Sequence, residues 1–279
     1  SNLFTGWLGR HLAATAPTLK NSVLRAVGIG YGLQRTLAGA PQTLPINDLA
    51  EFGFSGSGKT KKQRIAVLEE IYAISTEPLA SSAANTFRTV DTLKRIRFDS
   101  YKPKGGARYP EDEFGYSLRS TAALIKADVG IEAVAIDLGG WDTHDEQGTT
   151  EGHMAYLMNS FAKGLAAFHR DLASSNCRDV VTVAMSEFGR NAAENGSFGT
   201  DHGYGGLMLA MGDRISGGRV LTKWPGLKKS QLYEGQDLKI TVDYRDVLSE
   251  IIARRLGNAN VRAVFPDPGY SPKTLGVTV

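Results

Sequence analysis

Three short polar segments contain the side chains of this chain that are best suited to bind a divalent metal ion. The candidate ligands are Asp142, His144, Glu187, Asp201 and His202. Carboxylate oxygens and imidazole nitrogens together suit zinc or manganese, and magnesium and calcium are further candidates. Two such ions about 4 Å apart can hold the attacking and the leaving oxygen of an ester displacement. The residue types therefore indicate a metal site with hydrolytic chemistry.

Glycines accompany these side chains, and glycine allows a backbone to approach a ligand closely. A single Asp-x-His sequence in a loop is commonly a capping or hydrogen-bonding pair. Two of the five histidines lie in these segments beside acidic residues, however, and this grouping favours metal binding or catalysis. The other three, His11, His153 and His169, lie on or beside helical patterns, where surface or packing roles are expected.

Arg190 follows Glu187 in the same segment and allows two interpretations. Its guanidinium group could bind a non-bridging oxygen of a phosphate or sulfate, which would make Arg190 a catalytic residue. It could equally form a salt bridge with an acidic residue of a neighbouring loop. The sequence leaves both interpretations open.

Helix and strand patterns alternate along the chain and position these segments. Apolar residues at helical spacing predict helices near residues 6–14, 61–75, 82–97, 111–127, 151–173 and 244–256. Apolar or β-branched runs predict strands near residues 27–33, 131–137, 179–185 and 219–221, and a further apolar run covers residues 207–211. This alternation is typical of a layered α/β domain with a largely parallel sheet. Ligands bind at the carboxyl ends of such strands, so the loops after Asp137 and Met185 are the expected site.

Two helix starts carry capping signals. Thr150 precedes the long helical pattern at 151–173, and Asp243 precedes the pattern at 244–256. Both residue types favour the N-cap position, where a side-chain oxygen accepts a backbone hydrogen bond. Gly257 follows the second pattern, as expected just beyond a helix end.

Composition excludes several classes of protein. Of the 279 residues, 42% are hydrophobic and 22% are charged, which excludes a mainly disordered or coiled-coil chain. The formal charge of +3, from 32 Lys and Arg against 29 Asp and Glu, argues against nucleic acid as a partner. The sequence has no run of about 18 apolar residues, so a membrane span is not expected. Cys177 is the only cysteine, which excludes an intrachain disulfide and a cysteine zinc cage.

The chain is expected to form a single α/β domain over residues 1–279. Within it, residues 1–128 are mostly helical in pattern, and residues 129–279 carry the candidate metal site. The sequence begins Ser-Asn-Leu-Phe, without an initiator Met or an export signal. We therefore expect that the start of the chain is processed or truncated.

A nucleotide-binding pattern, G-x-x-x-x-G-K-[ST], also occurs at residues 53–60. Its chemistry requires a buried strand directly before the loop, so that backbone N–H groups face the phosphates. The preceding residues, 44–52, contain a proline and two acidic residues and are a poor match to such a strand. An NTPase that uses Lys59, with Asp137 as its magnesium-binding acid, is therefore the third of three functional hypotheses.

The polar segments also resemble a known family. Gly-Gly-Trp-Asp-Thr-His at 139–144, Ser-Glu-Phe-Gly-Arg at 186–190 and Gly-Thr-Asp-His-Gly at 199–203 look like domain of unknown function family 1501. That family is grouped with the alkaline-phosphatase and sulfatase superfamily. The likeness extends to four further segments and so to essentially the whole chain: 5–10, 217–220, 242–247 and 264–266.

The resemblance implies an alkaline-phosphatase-like, three-layer α/β/α sandwich with metal ions at the strand ends. By the superfamily pattern, Asp142 and His144 serve one metal, and His202 resembles the late histidine that returns to it. The resemblance also makes Asp201 a further candidate ligand. Glu187 stands where an Asp-His pair is usual, which implies that a second metal is weak or absent. The implied activity is metal-dependent hydrolysis of a phosphate or sulfate ester, with a small-molecule, glycan or lipid ester as the substrate.

Members of the family usually begin with an export signal and a first strand that supplies a metal ligand and the nucleophile. By this resemblance we expect the present sequence to start after that region, and a reduced site is implied if the chain is complete. The second hypothesis is accordingly a non-catalytic, exported binding or assembly protein. An exposed sheet edge would then bind a partner strand or a second copy in a homo-oligomer. The resemblance implies a periplasmic or secreted location, with the cytoplasm as the alternative.

Overall fold

The structure is a computed structural model that describes residues 3–20, 22–54 and 58–279. It divides into two compact units, residues 1–137 and residues 138–279. The division follows the last strand of the first unit, and all of the candidate metal ligands lie in the second unit.

Within its described residues, the first unit combines four α-helices with three short strands. The helices are α1 (Trp7–Ala13), α2 (Lys61–Ala73), α3 (Leu79–Lys94) and α4 (Glu113–Lys126). The strands are β1 (Ala26–Ile29), β2 (Thr43–Ile46) and β3 (Ala133–Ile136). These bounds confirm the four helices and both strands that the sequence predicts here, although β1 ends at Ile29 rather than near Leu33.

The three strands form one parallel sheet in the order β2-β1-β3. Side chains alternate across the central strand, so Ala26 packs with Leu12 of α1 on one face. Val27 packs on the other face with Leu93 of α3 and Leu124 of α4. Helices therefore cover both faces of this sheet, and the predicted α/β class is confirmed. A three-layer sandwich for the whole chain stays a prediction.

A strand does precede the nucleotide-binding pattern. Strand β2 ends at Ile46, within residues 44–52, which we interpreted as a poor match to a strand. This strand lies at the edge of the sheet, and only Ile46 of its four residues is buried. Residues 47–52 separate its end from Gly53, so the strand does not lead directly into the pattern. Residues 55–57 of the pattern lie outside the described residues.

The second unit has three helices and four short strands. The helices are α5 (His153–Ala173), α6 (Tyr244–Arg255) and α7 (Val261–Val264). The strands are β4 (Thr182–Met185), β5 (Gly189–Arg190), β6 (His202–Gly203) and β7 (Met208–Met211). The pairs β4-β7 and β5-β6 are both antiparallel, so the parallel pairing seen in the first unit does not extend to these strands.

Two local predictions for this unit are wrong. Thr150 does not cap α5, which starts after Gly152, because the backbone N–H of Met154 is satisfied by the carbonyl of Gln147. The predicted strand at 219–221 does not form either. Its central residue, Val220, is 82% exposed, so the apolar run has no layer to pack against.

The last long helix holds the C-terminal segment in place. As predicted, Asp243 caps α6 by accepting the backbone N–H of Arg245 at 2.9 Å, and Gly257 takes a positive φ beyond its end. The helix packs Val247 and Ile251 against Val277 of the C-terminal segment. In the part of the chain that the structure describes, no helix combines the length and the apolar character needed to cross a membrane.

Candidate metal site

Two loops of the second unit carry the candidate ligands and are joined by their backbones. The N–H of Glu146 donates to the carbonyl of Ser197 at 2.9 Å, and the N–H of Gln147 donates to the carbonyl of Phe198 at 3.0 Å. These hydrogen bonds connect residues 142–147, which include the end of the first polar motif, to residues 195–203. The loops are therefore fixed relative to each other by several bonds along their length.

Side chains reinforce this connection beside the candidate ligands. The side-chain oxygen of Gln147 accepts hydrogen bonds from the hydroxyls of Thr143 and Thr200, each at 2.8 Å. Thr143 is buried, and it lies between the two candidate ligands of the first loop. Gln147 thus holds both loops from a position that sequence analysis did not select.

Glycine is required at two points where the backbones touch. A Cβ atom on Gly199 would lie 2.2 Å from the carbonyl carbon of His144, and one on Gly203 would lie 2.4 Å from that of Arg190. Real Cβ atoms do not approach a backbone so closely. The glycines of the Gly-Thr-Asp-His-Gly motif therefore bring the candidate ligands together by removing side-chain volume.

The short ladder of β5 and β6 positions the last histidine. Arg190 and His202 are register partners in this antiparallel pair. The ring of Phe188 stacks on the His202 imidazole with centroids 4.1 Å apart and an interplanar angle of 16°. The Phe side chain thus restricts the rotation of the imidazole and directs its edge toward the first loop.

Asp142, His144 and His202 form the centre of the site. The Oδ1 atom of Asp142 lies 2.9 Å from His144 Nε2 and 2.7 Å from His202 Nε2. The hydrogen bond from His202 is the main reason that the pKa of Asp142 lies below its usual value. Within the described residues, this is the one group of three acidic, His or Cys side chains with ligand atoms within 4.8 Å of one another.

Asp201 contacts the other nitrogen of the first-loop histidine. Its Oδ1 atom lies 3.0 Å from His144 Nδ1, and this hydrogen bond is the main cause of the lowered pKa of Asp201. The amide of Asn195 donates to the same oxygen at 3.0 Å and lowers the pKa further. Asp201 therefore contacts His144 from the side away from Asp142.

The donor set of this centre fits a divalent metal ion. Two imidazole nitrogens and one carboxylate oxygen bind catalytic zinc in other proteins, with further positions left for water or substrate. The same ligand types also suit other first-row metals, including iron and manganese. The side chains of Asp142, His144 and His202 are 60%, 44% and 50% exposed, so solvent and small molecules reach them directly.

Glu187 and Arg190 are not among the three side chains of this centre. Glu187 is exposed and is not one of the three clustered side chains. Arg190 donates to the backbone carbonyls of Trp141 and Thr200, and its Nη2 atom lies 3.3 Å from Asp142 Oδ1. Its contacts correspond to the salt-bridge interpretation, because the guanidinium group joins the two loops and touches an acidic ligand.

Three positioning side chains were not selected from the sequence as part of the site. Asn195 and Gln147 lie in polar stretches where their types indicate only a turn or a surface. His153 was assigned a packing role, but its Nε2 atom lies 2.8 Å from the carbonyl of Gly140, in the first motif. No spacing rule connects these residues to the ligands, because each acts across a loop contact that only the folded chain creates.

Comparisons with known proteins give a family but no named relative. No curated protein and no solved structure matches the chain. The model of one family, described as Protein of unknown function (DUF1501), matches residues 1–264. The match covers most of the 279 residues, so the chain belongs to the DUF1501 family.

Proposed function

We propose that this protein is a metal-dependent hydrolase of phosphate or sulfate esters, with Asp142, His144 and His202 as the metal ligands. The observation that supports this most directly is the convergence of one carboxylate oxygen and two imidazole nitrogens within 4.8 Å. When bound, a divalent ion supplies Lewis-acid activation of an ester and of water. The periplasmic or secreted location implied by the family resemblance belongs to the same proposal.

The ligand set supports one metal ion rather than two. Glu187 is the natural candidate for a second ion by superfamily pattern, but it is exposed and separate from the three clustered side chains. A three-ligand centre with open positions is the arrangement of many single-zinc hydrolases. Zinc or manganese is therefore the cofactor that we propose, bound once per chain.

The surrounding residues hold this centre in an open and defined geometry. Arg190 places positive charge beside Asp142 and ties the carbonyls of Trp141 and Thr200 to one guanidinium group. Phe188 packs against the His202 ring and blocks one of its faces. These residues orient the ligands, while the exposed side of the centre stays available for an ester and a water molecule.

Turnover of chromogenic esters tests this proposal. Purified protein is assayed with p-nitrophenyl phosphate and p-nitrophenyl sulfate, with and without a chelator, and with zinc or manganese restored. We expect activity that the chelator removes, that metal restores, and that His144→Ala and His202→Ala both abolish. His169→Ala, an exposed histidine on α5, serves as the matched control.

The opposite result would favour the second hypothesis. The proposed hydrolase activity would be contradicted if the purified protein contains no metal, hydrolyses neither ester, and behaves the same after both histidine substitutions. A non-catalytic binding or assembly protein would then be the better account of the fold.

A further inference from the structure

All four hydrogen-bonding positions of the Asn195 side chain are used. Two bind groups of the metal site, and two bind backbone groups of its own loop. The amide nitrogen donates to the carbonyl of His144 at 2.9 Å and to Asp201 Oδ1 at 3.0 Å. The amide oxygen accepts the backbone N–H groups of Ser197 at 2.9 Å and Gly199 at 3.1 Å. The nitrogen therefore faces the metal site, while the oxygen closes a turn within its own loop.

The bond between Asp201 and His144 determines which ring nitrogen can bind a metal. A neutral imidazole carries one N–H, so a proton on Nδ1 leaves Nε2 with a free lone pair. Asp201 Oδ1 lies 3.0 Å from Nδ1 and favours the proton there. Nε2 then faces Asp142, at 2.9 Å, with the lone pair that a metal ion requires.

Asp201 can do this only if its own carboxylate is held in place. Its side chain is 57% exposed, so burial does not fix its orientation. Asn195 provides the fixed point, since its amide binds the carboxylate oxygen and the backbone carbonyl of His144 together. One side chain thus sets the distance between the histidine and the carboxylate that orients it.

We propose that Asn195 is a positioning residue of the metal site, which acts through Asp201 to keep His144 Nε2 available for the metal. This inference rests on the metal site of the proposed function. It reassigns Asp201 from a further ligand to the hydrogen-bonding partner of a ligand. Partners of this kind typically change metal affinity by about 10–100-fold when they are removed.

The two ends of the Asn195 side chain can be separated by substitution. Asn195→Asp keeps an oxygen for the N–H groups of Ser197 and Gly199, so the turn retains its acceptors. It loses the donor to Asp201 and to the carbonyl of His144, and it places a second carboxylate against Asp201. Adding Asp201→Asn removes the charge repulsion. Because Asp201 Oδ1 accepts both bonds in the original chain, the new amide must turn so that its oxygen accepts the Nδ1–H of His144 and its nitrogen donates to position 195. The double variant also has the same net charge as the original protein.

The test measures zinc affinity by competition with a chelating indicator, and it records the visible absorption spectrum of the cobalt-substituted protein. The proteins compared are the original chain, Asn195→Asp, the double variant and Asn159→Ala. Asn159 is exposed on α5 and provides an asparagine substitution outside the loops. Thermal unfolding of the metal-free proteins shows whether the turn is intact.

We expect Asn195→Asp to weaken zinc binding about tenfold or more and to alter the cobalt spectrum. The double variant should recover part of the affinity, because it removes the repulsion between two carboxylates, and Asn159→Ala should match the original chain. Unchanged affinity and spectrum in Asn195→Asp would overturn the inference while leaving the metal site intact. Failure of the original chain to bind zinc or cobalt would instead contradict the proposed function itself.

Discussion

Asp201 Oδ1 lies 3.0 Å from His144 Nδ1, on the opposite edge of the ring from the nitrogen that faces the other candidate ligands. A carboxylate in this position fixes the orientation of an imidazole and raises its basicity as a ligand. The His144 ring is therefore held in a defined orientation, although the side chains of the site are exposed.

Gly199→Ala should disturb the site without altering any ligand. The added methyl group would meet the carbonyl carbon of His144 at 2.2 Å, so the two loops must separate. We expect a loss of about 1–3 kcal/mol in the free energy of unfolding, together with weaker zinc binding. Gly196→Ala, in the same loop, has no atom within 4 Å of the new group and should change neither quantity. Equal effects of the two substitutions would contradict the packing argument.

Arg190→Lys separates the two interpretations of this residue. Lysine has no planar fork, so it cannot reproduce the contacts with the carbonyls of Trp141 and Thr200 and with Asp142. If Arg190 positions the ligands, zinc affinity should fall about tenfold. If it binds the ester instead, zinc affinity should stay constant while KM rises. Arg262→Lys, an exposed position on α7, is the control.

Glu250 should make stability depend on acid pH. Burial by itself would raise its pKa, but hydrogen bonds from the backbone N–H groups of Thr278, Leu275 and Gly276 lower it below the usual value. A carboxyl group with a lowered pKa in the folded state stabilises the protein above its unfolded pKa of about 4.3. That contribution is lost as the pH falls through the folded pKa.

Glu250→Gln should therefore lower the free energy of unfolding at pH 7 by about 1–3 kcal/mol and flatten its decline in acid. Denaturant titrations between pH 7 and pH 3 measure both effects. Glu69→Gln, exposed on α2, should leave the curve unchanged. An unchanged acid slope in Glu250→Gln would show that the C-terminal segment is held by other contacts.

Arg25 should be essential to the first unit. Its guanidinium group forms a salt bridge with Glu132 at 2.7 Å, and the two side chains are 2% and 11% exposed. It also donates to the carbonyls of Leu12 and Thr15, which join α1 to the sheet. Removal of one partner of a buried pair costs about 3–5 kcal/mol, so Arg25→Met should lower the denaturation midpoint strongly. A midpoint equal to that of Lys62→Met, on the exposed side of α2, would refute this role.

Local patterns in the sequence predict the six helices α1 to α6 and the three strands β1, β3 and β4. The apolar stripe of the long helix and the Asp243 cap are properties of adjacent residues, and both are found in the structure. The start of α5 differs, because the N–H of Met154 is satisfied by the carbonyl of Gln147 and the Thr150 side chain does not cap the helix. A cap is predictable from sequence only when no other group competes for it.

The candidate ligands could be proposed from their types, but their separate roles could not. Asp142 and Asp201 both neighbour a histidine in the sequence pattern, yet one faces Nε2 of His144 and the other faces Nδ1. That difference depends on how residues 195–203 fold back against the first loop. Asn195 was not selected for the same reason, since its partners are 51 and 6 residues away along the chain.

The metal content of the purified protein shows directly whether His144 and His202 form a metal site. The purified protein, His144→Ala and His202→Ala are dialysed gently against buffer and analysed for their elements. We expect about one zinc, manganese or similar ion per chain in the original protein and loss of that ion in both variants. A metal-free original protein, or an ion that both variants retain, would contradict a metal site formed by these two histidines.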